Sequence, residues 1–260
     1  SSDQQVVELG DWSDVKAATR AGLPVVARRN NVAGDVRAIY GADGGAVWVG
    51  MVGRGLARIA PTGFSRTSLP AKEFIGAGPL DGEGDDVWFS SHCSDLQHAD
   101  ASGNLEEVPL PAAADPAHAC VRALRVRSDG AVLAARGGEL LEVRDGVARV
   151  LFRLDLPTPD AEITVISEAP DGHIWPGAHD GKLLRLDSDG ATAALTARPV
   201  EETRSEILDV MELVDGRLVV GHALGVSVRV GGVWSVYTAA GGLAPGAVRH
   251  VALAPTGTLW

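Results

Sequence analysis

Apolar and polar residues alternate along short stretches of this chain, and each stretch is broken by a turn containing Gly. A period of two is the mark of a strand with one buried face. The segment Ile163–Asp189 shows the pattern most fully. Ile163 and Val165 alternate with their neighbours, Asp171-Gly172 turns the chain, and Ile174-Trp175 opens a second strand. Leu183, Leu184 and Leu186 mark a third, and Ala191–Leu195 a fourth after the Asp189-Gly190 turn. Asp tolerates turn geometry, and Gly accepts positive φ without a Cβ clash. Four short strands in a meander cannot bury both faces alone, so the unit requires neighbours.

The neighbours are repeats of the same unit. With Trp175 as marker, Trp48, Trp88, Leu133, Val219 and Trp260 follow equivalent turns, at intervals of roughly 40–45 residues. That spacing, with four strands per unit, predicts an all-β protein, a β-propeller of six blades with four antiparallel strands each. The phase places Val6–Leu9 as a third strand and Trp260 within a second strand. The sixth blade is thus expected to be shared by the two ends, with Val6–Leu9 beside the Trp260 strand, leaving no free edge. Residues 6–24 are read as the third and fourth strands of that blade, and residues 1–260 as one domain. A cut from a longer array with more blades is the competing reading.

The segments WSVYTAAGGLAPGAVRHVALAPTGTLW and DVRAIYGADGGAVWVGMVGRGLARI carry a recognisable order. It runs aromatic, polar stretch, Gly-Leu-Pro, Val-x-x-Ile, then Asp-x-x-Gly-x-Leu-Trp-x-Gly-Thr, and it resembles the two-component regulator propeller repeat. The resemblance spans nearly the whole chain and is weakest around Trp88. It implies the extracytoplasmic, periplasmic sensor part of a membrane-bound histidine kinase or diguanylate cyclase, able to dimerise through its parent protein. No kinase or cyclase segment is present in this sequence.

Composition narrows the partners. A net charge of −11 argues against nucleic acid or an anionic membrane surface. No apolar run approaches the ~20 residues of a membrane span.

Propeller phase also assigns candidate chemistry. The loops before first strands and after second strands open on one face, around the channel mouth. That places Arg37, Arg122, Arg249 and His250 with Arg54, His92, Arg136, His179 and His222 at this mouth. Convergent polar groups at such a mouth are the default binding-site expectation, here for a small anionic ligand or carbohydrate. The competing reading pairs these Arg with nearby acids such as Glu162 and Glu206. The turn acids Asp43, Asp129, Asp145, Asp171, Asp189 and Asp215 fall on the opposite face, as hairpin turns lacking a calcium ladder. The marker Trp residues read as packing between neighbouring sheets rather than as ligand clamps.

Cys93 and Cys120 fall on loops of one rim. The extracytoplasmic resemblance supports a disulfide between them, which would contribute on the order of 3 kcal/mol. Zinc held with His92, His98 or His118 is the alternative, although the spacing matches no compact metal motif. No cofactor is expected.

Catalytic signatures are absent: no nucleophile elbow, phosphate loop or His-Glu-x-x-His segment. The expectation is a non-catalytic ligand-sensing or binding module. A protein-interaction scaffold is the second class. The third is an enzyme like the virginiamycin B lyases, propellers that use His and Glu with magnesium, for which His179, His222, His250 and Glu206 supply the residue types.

Overall fold

The computed structural model describes residues 6–9, 25–29, 36–42, 45–51, 55–60, 63–67, 78–90, 93–102, 104–154, 162–187, 192–196, 205–254 and 256–260. Among these the chain is all-β, apart from two single 3-10 turns at Pro116–His118 and Ala239–Gly241. Strands β1 (Val6–Leu9) and β2 (Val25–Arg29) form a two-stranded antiparallel sheet. Five four-stranded antiparallel sheets follow. The first holds β3 (Val36–Gly41), β4 (Val47–Met51), β5 (Gly55–Ala60) and β6 (Gly63–Thr67). The second holds β7 (Leu80–Glu83), β8 (Asp86–Phe89), β9 (Asp95–Ala99) and β10 (Leu105–Pro109). The third holds β11 (Ala123–Val126), β12 (Val132–Arg136), β13 (Glu139–Arg144) and β14 (Val147–Arg153). The fourth holds β15 (Ile163–Glu168), β16 (Ile174–Ala178), β17 (Lys182–Leu186) and β18 (Thr192–Thr196). The fifth holds β19 (Ile207–Glu212), β20 (Leu218–His222), β21 (Gly225–Val230) and β22 (Val233–Thr238).

Each sheet pairs its strands in chain order, as a meander, and the turns behave as their residues require. Gly130, Gly172, Gly216 and Gly257 all take φ between 79° and 88°. The Asp two residues ahead of Ala131, His173 and Arg217 accepts that residue's N–H, at 3.1, 3.4 and 3.1 Å. Each of these carboxylates braces its own turn, and Asp129 also accepts Arg144 Nη2 at 2.8 Å.

The core is a series of layers between successive sheets. Val132 and Ala134 pack with Leu96 and Val108 of the second sheet, whereas Leu133 and Ala135 pack with Ile163 and Ile174 of the fourth. Strand alternation therefore buries both faces of β12, which is buried throughout. Trp175 and Leu183 meet Ile207, Val210 and Leu218 across the next boundary. Trp48 and Leu56 meet Val87 and Phe89 between the first two sheets. Each fully buried Leu, Ile or Val contributes about 1.5–3 kcal/mol, and most of that gain is lost if one sheet is removed from its neighbour.

The expected closing blade is not formed as drawn. β1 pairs with β2, from Val6↔Arg29 to Leu9↔Val25, and not with the strand of Trp260. Trp260 instead exchanges N–H and C=O bonds with Ala252, in a short hairpin with Leu253 opposite Leu259. The fourth strand, placed by sequence within residues 6–24, is Val25–Arg29, where the apolar run Val25-Val26-Ala27 lies. Among the described residues there are five four-stranded sheets and one of two strands, and no sixth four-stranded sheet.

Candidate functional site

Antiparallel pairing sets the start of each sheet's first strand beside the end of its second. Arg122 N–H bonds to Ala135, and His179 N–H to Glu162, along this edge. Three of these edges carry a bulge at the same phase: at Arg37, Thr164 and Leu208 the register shifts by one residue. A bulge re-aims the side chain it carries. Thr164 uses this to donate to the Ile207 carbonyl of the next sheet at 2.6 Å.

The side chain of Arg37, and the whole of Arg54 and His92, lie outside the described residues. The structure divides the remaining predicted residues into two groups. Arg122, His179, Arg249 and His250 are solvent-accessible along the rim. Arg136 and His222 are not: they are 2% and 0% exposed. Position in the repeat set their phase, but the turn that follows each strand folds over them.

The accessible group is not a bare cationic ring. Arg122 Nε lies 3.4 Å from Glu162 of the next sheet, and His179 Nδ1 lies 3.5 Å from Glu206 of the sheet after. Each boundary thus sets a basic group from one sheet against an acid from its successor. Arg249 is exposed, and His250 Nδ1 stands 3.8 Å from Asp209 Oδ2.

His222 is a structural group. Leu224 N–H donates to its Nδ1 at 3.2 Å, so the proton sits on Nε2, which faces Ser227 Oγ at 3.2 Å. Burial lowers its pKa and keeps the imidazole neutral.

Two polar residues on the inner strands were not anticipated. Asp81 accepts the Val126 N–H of the next sheet at 2.9 Å and lies 3.6 Å from Arg125. Asp209 accepts the Val251 N–H at 2.8 Å. Burial raises the pKa of both carboxyls, opposed by these N–H groups and by the charges of Arg125 and His250. An Asp inside a strand that otherwise alternates apolar and polar was the available sequence signal. It marks a carboxylate taking N–H groups that an inner edge strand cannot pair.

Cys93 and Cys120 form a disulfide, joining the second sheet to the segment leading into the third. His98 stacks on Trp88, with ring centroids 4.8 Å apart, and His118 sits against Asp115. Among the described residues no three His, Cys, Asp or Glu side chains converge as a metal site. None of the described helices is long and apolar enough to cross a membrane.

Neither a family model nor a curated protein matches the sequence. Solved structures do resemble the fold. Inactive H270A virginiamycin B lyase from Staphylococcus aureus, with quinupristin, has a TM-score of 0.65 at 16% identity, over 78% of this chain and 69% of that one. The extracellular domain of a protein assigned as a hybrid two component system from B. thetaiotaomicron has a TM-score of 0.69 at 13% identity. That match covers 100% of this chain and 38% of the other. YCF48 bound to D1 peptide has a TM-score of 0.60 at 14% identity, over 82% and 70% of the two chains. These neighbours are β-propellers, a sensor-type extracellular domain and an enzyme among them, and at such identities they define the fold alone.

Proposed function

We propose that this chain is the extracytoplasmic, ligand-sensing or ligand-binding propeller of a membrane-bound signalling protein of the histidine kinase or diguanylate cyclase type, and is itself non-catalytic. The observation that carries the reading is the set of accessible Arg122, His179, Arg249 and His250 groups at equivalent strand ends. Its ligand is a small anion or carbohydrate, because Arg binds carboxylate and sulfate bidentately and the Glu162 and Glu206 partners accept hydroxyl donors. The disulfide supports a location outside the cytoplasm, and the likeness of this chain to part of an extracellular domain, 38% of its length, supports the sensor role. In this reading residues 1–260 are one propeller, whose sixth blade combines β1 and β2 with the 249–260 hairpin. Thermal shift against carboxylated and sulfated sugars tests it, since a saturating ligand adds RT ln(1 + [L]/Kd). A stabilising ligand whose effect is lost in the Arg122→Ala, Arg249→Ala double variant is expected. A shift unchanged in that variant, or none with any of these sugars, overturns the reading.

A second reading, a lyase-like enzyme, is favoured by one contact. An imidazole beside a carboxylate, as in His179 and Glu206, is a pair that can move a proton. The described residues do not fit a bound metal, so no step is routed through one. Turnover of a cyclic depsipeptide that disappears in His179→Ala would establish this reading over the first.

A further inference from the structure

We infer that the third sheet carries a separate oxyanion subsite, away from the inner strands. A cavity of about 170 Å³ lies among the 110–119 segment, the turn between β12 and β13, and the end of β14. Arg136, Gly137, Gly138, Glu139 and Arg153 line it, with Asp115 and His118 at its side.

Both acids at the cavity are already engaged. Glu139 accepts Arg153 Nε on Oε1 at 3.0 Å, and Arg136 Nε and Ala114 N–H on Oε2 at 3.0 and 3.4 Å. Asp115 accepts Ala117 N–H at 2.9 Å on one oxygen and faces His118 Nδ1 at 2.8 Å with the other. The donors are not used up. Arg136 spends Nε on Glu139 and Nη2 on the Pro111 carbonyl at 2.7 Å, leaving Nη1. Arg153 spends Nε alone, leaving both Nη nitrogens. Gly137 and Gly138 accept through their carbonyls, from Ile163 and Leu154, while their own N–H groups make no bond among the described residues. What remains at this cavity therefore includes donors on two guanidiniums and two adjacent amides.

An Arg or backbone N–H cannot accept, so the complement of this surplus is an oxygen-rich anion. Arg136 is 2% exposed and holds two of its three nitrogens in bonds to Glu139 and Pro111, which fixes the direction of the third. Arg136 and Arg153 are balanced by Glu139 and Asp115, so the surplus at the cavity is one of directed donors and not of net charge. The volume is well below the roughly 300–1,000 Å³ of whole-ligand pockets. The site suits a single carboxylate or sulfate group, as a free ion or as a substituent. The turn is held in shape: Gly137 has φ +48°, and a Cβ there would meet His118 Cβ at 3.0 Å.

The test is an amide NMR titration of the whole chain with sodium sulfate and with sodium acetate, against sodium chloride at matched ionic strength. Saturable shifts of Gly137 and Gly138 with sulfate, acetate or both are expected, and none that saturates with chloride. Sulfate alone identifies a tetrahedral anion, and acetate alone a carboxylate. Arg153→Gln, at a side chain 63% exposed, should raise Kd about tenfold, or ~1.4 kcal/mol. Arg153→Lys, which keeps charge but loses the fork, should fall between, and serves if the Gln variant is unfolded. Non-saturating shifts matching chloride, or unchanged affinity in the Arg153 variants, overturn the site. Arg122→Ala should leave it intact, so failure of the rim reading and failure of this one are separable.

Discussion

Trp175 donates its indole N–H to Glu212 Oε2 at 2.6 Å, across the boundary between the fourth and fifth sheets. His173 lies 2.8 Å from the same oxygen. Other boundaries are stitched in a related way: Trp48 Nε1 to the Asp85 carbonyl at 3.2 Å, and Ser128 N–H to Glu168 at 2.9 Å. A marker Trp thus fills the layer between sheets and anchors it with one directed bond. Trp175→Phe keeps a large ring but deletes the donor, and should destabilise by about 1–3 kcal/mol, since the bond reaches a charged acceptor. Urea denaturation of Trp175→Phe, Glu212→Gln and the double variant checks this. Additive effects would show that the bond is not coupled.

Gly177 and Gly221 hold the same place after their markers, and both are sites of close approach. A Cβ at Gly177 would lie 2.6 Å from Ile207 Cγ2, and one at Gly221 would lie 2.7 Å from the Val248 carbonyl oxygen. At Gly177 the next sheet's first strand takes the room that a side chain would need, and at Gly221 the segment leading into the C-terminal hairpin does. Gly177→Ala and Gly221→Ala should each cost about 1–3 kcal/mol by overpacking, with Gly221 the worse because its obstacle is backbone. Thermal unfolding of both variants is the measurement, and wild-type melting temperatures would contradict it.

The inner carboxyls give a pH dependence of definite sign. Burial first, against N–H bonds and nearby charges, raises Asp81 and Asp209 above the ordinary 3.8. The folded chain therefore binds protons at these sites more readily than the unfolded chain. Their contribution to stability falls as pH rises from the ordinary carboxyl value through the raised ones, then stays low. Arg125 faces both groups, and His250 faces Asp209. Asp209→Asn retains an oxygen for the Val251 N–H without the charge. Its stability relative to wild type should increase between about pH 4 and pH 7, measured by urea denaturation at several pH values. A flat or decreasing difference would show that burial does not dominate.

The Cys93–Cys120 bond ties two sheets across a sequence separation of 27. Reduction, or replacement of both residues by Ser, should lower stability by about 2–4 kcal/mol. Thermal melts with and without reductant report it, and an unchanged midpoint with confirmed free thiols would refute it.

Strand content, turn positions and the repeat were legible in the sequence because their causes are local. Alternation decides which faces a strand buries, and Asp-Gly pairs such as Asp171-Gly172 close their turns within a few residues. The marker Trp could be read as packing on the same grounds, since a large flat side chain recurring at one phase fits only between repeated sheets. The ends of long side chains were not legible. Arg122 and Arg136 are both placed on one rim by the repeat, yet Arg122 is accessible beside Glu162 while Arg136 lies buried on Glu139 and Pro111. Asp81 and Asp209 take N–H groups 45 and 42 residues onward, a distance over which no local pattern reports. β1 was expected beside the Trp260 strand, whereas its partner among the described residues is Val25–Arg29, a pairing that the phase of the repeat does not report. Tertiary packing decided these points, because desolvation and cross-sheet contacts depend on what the neighbouring sheet brings into reach.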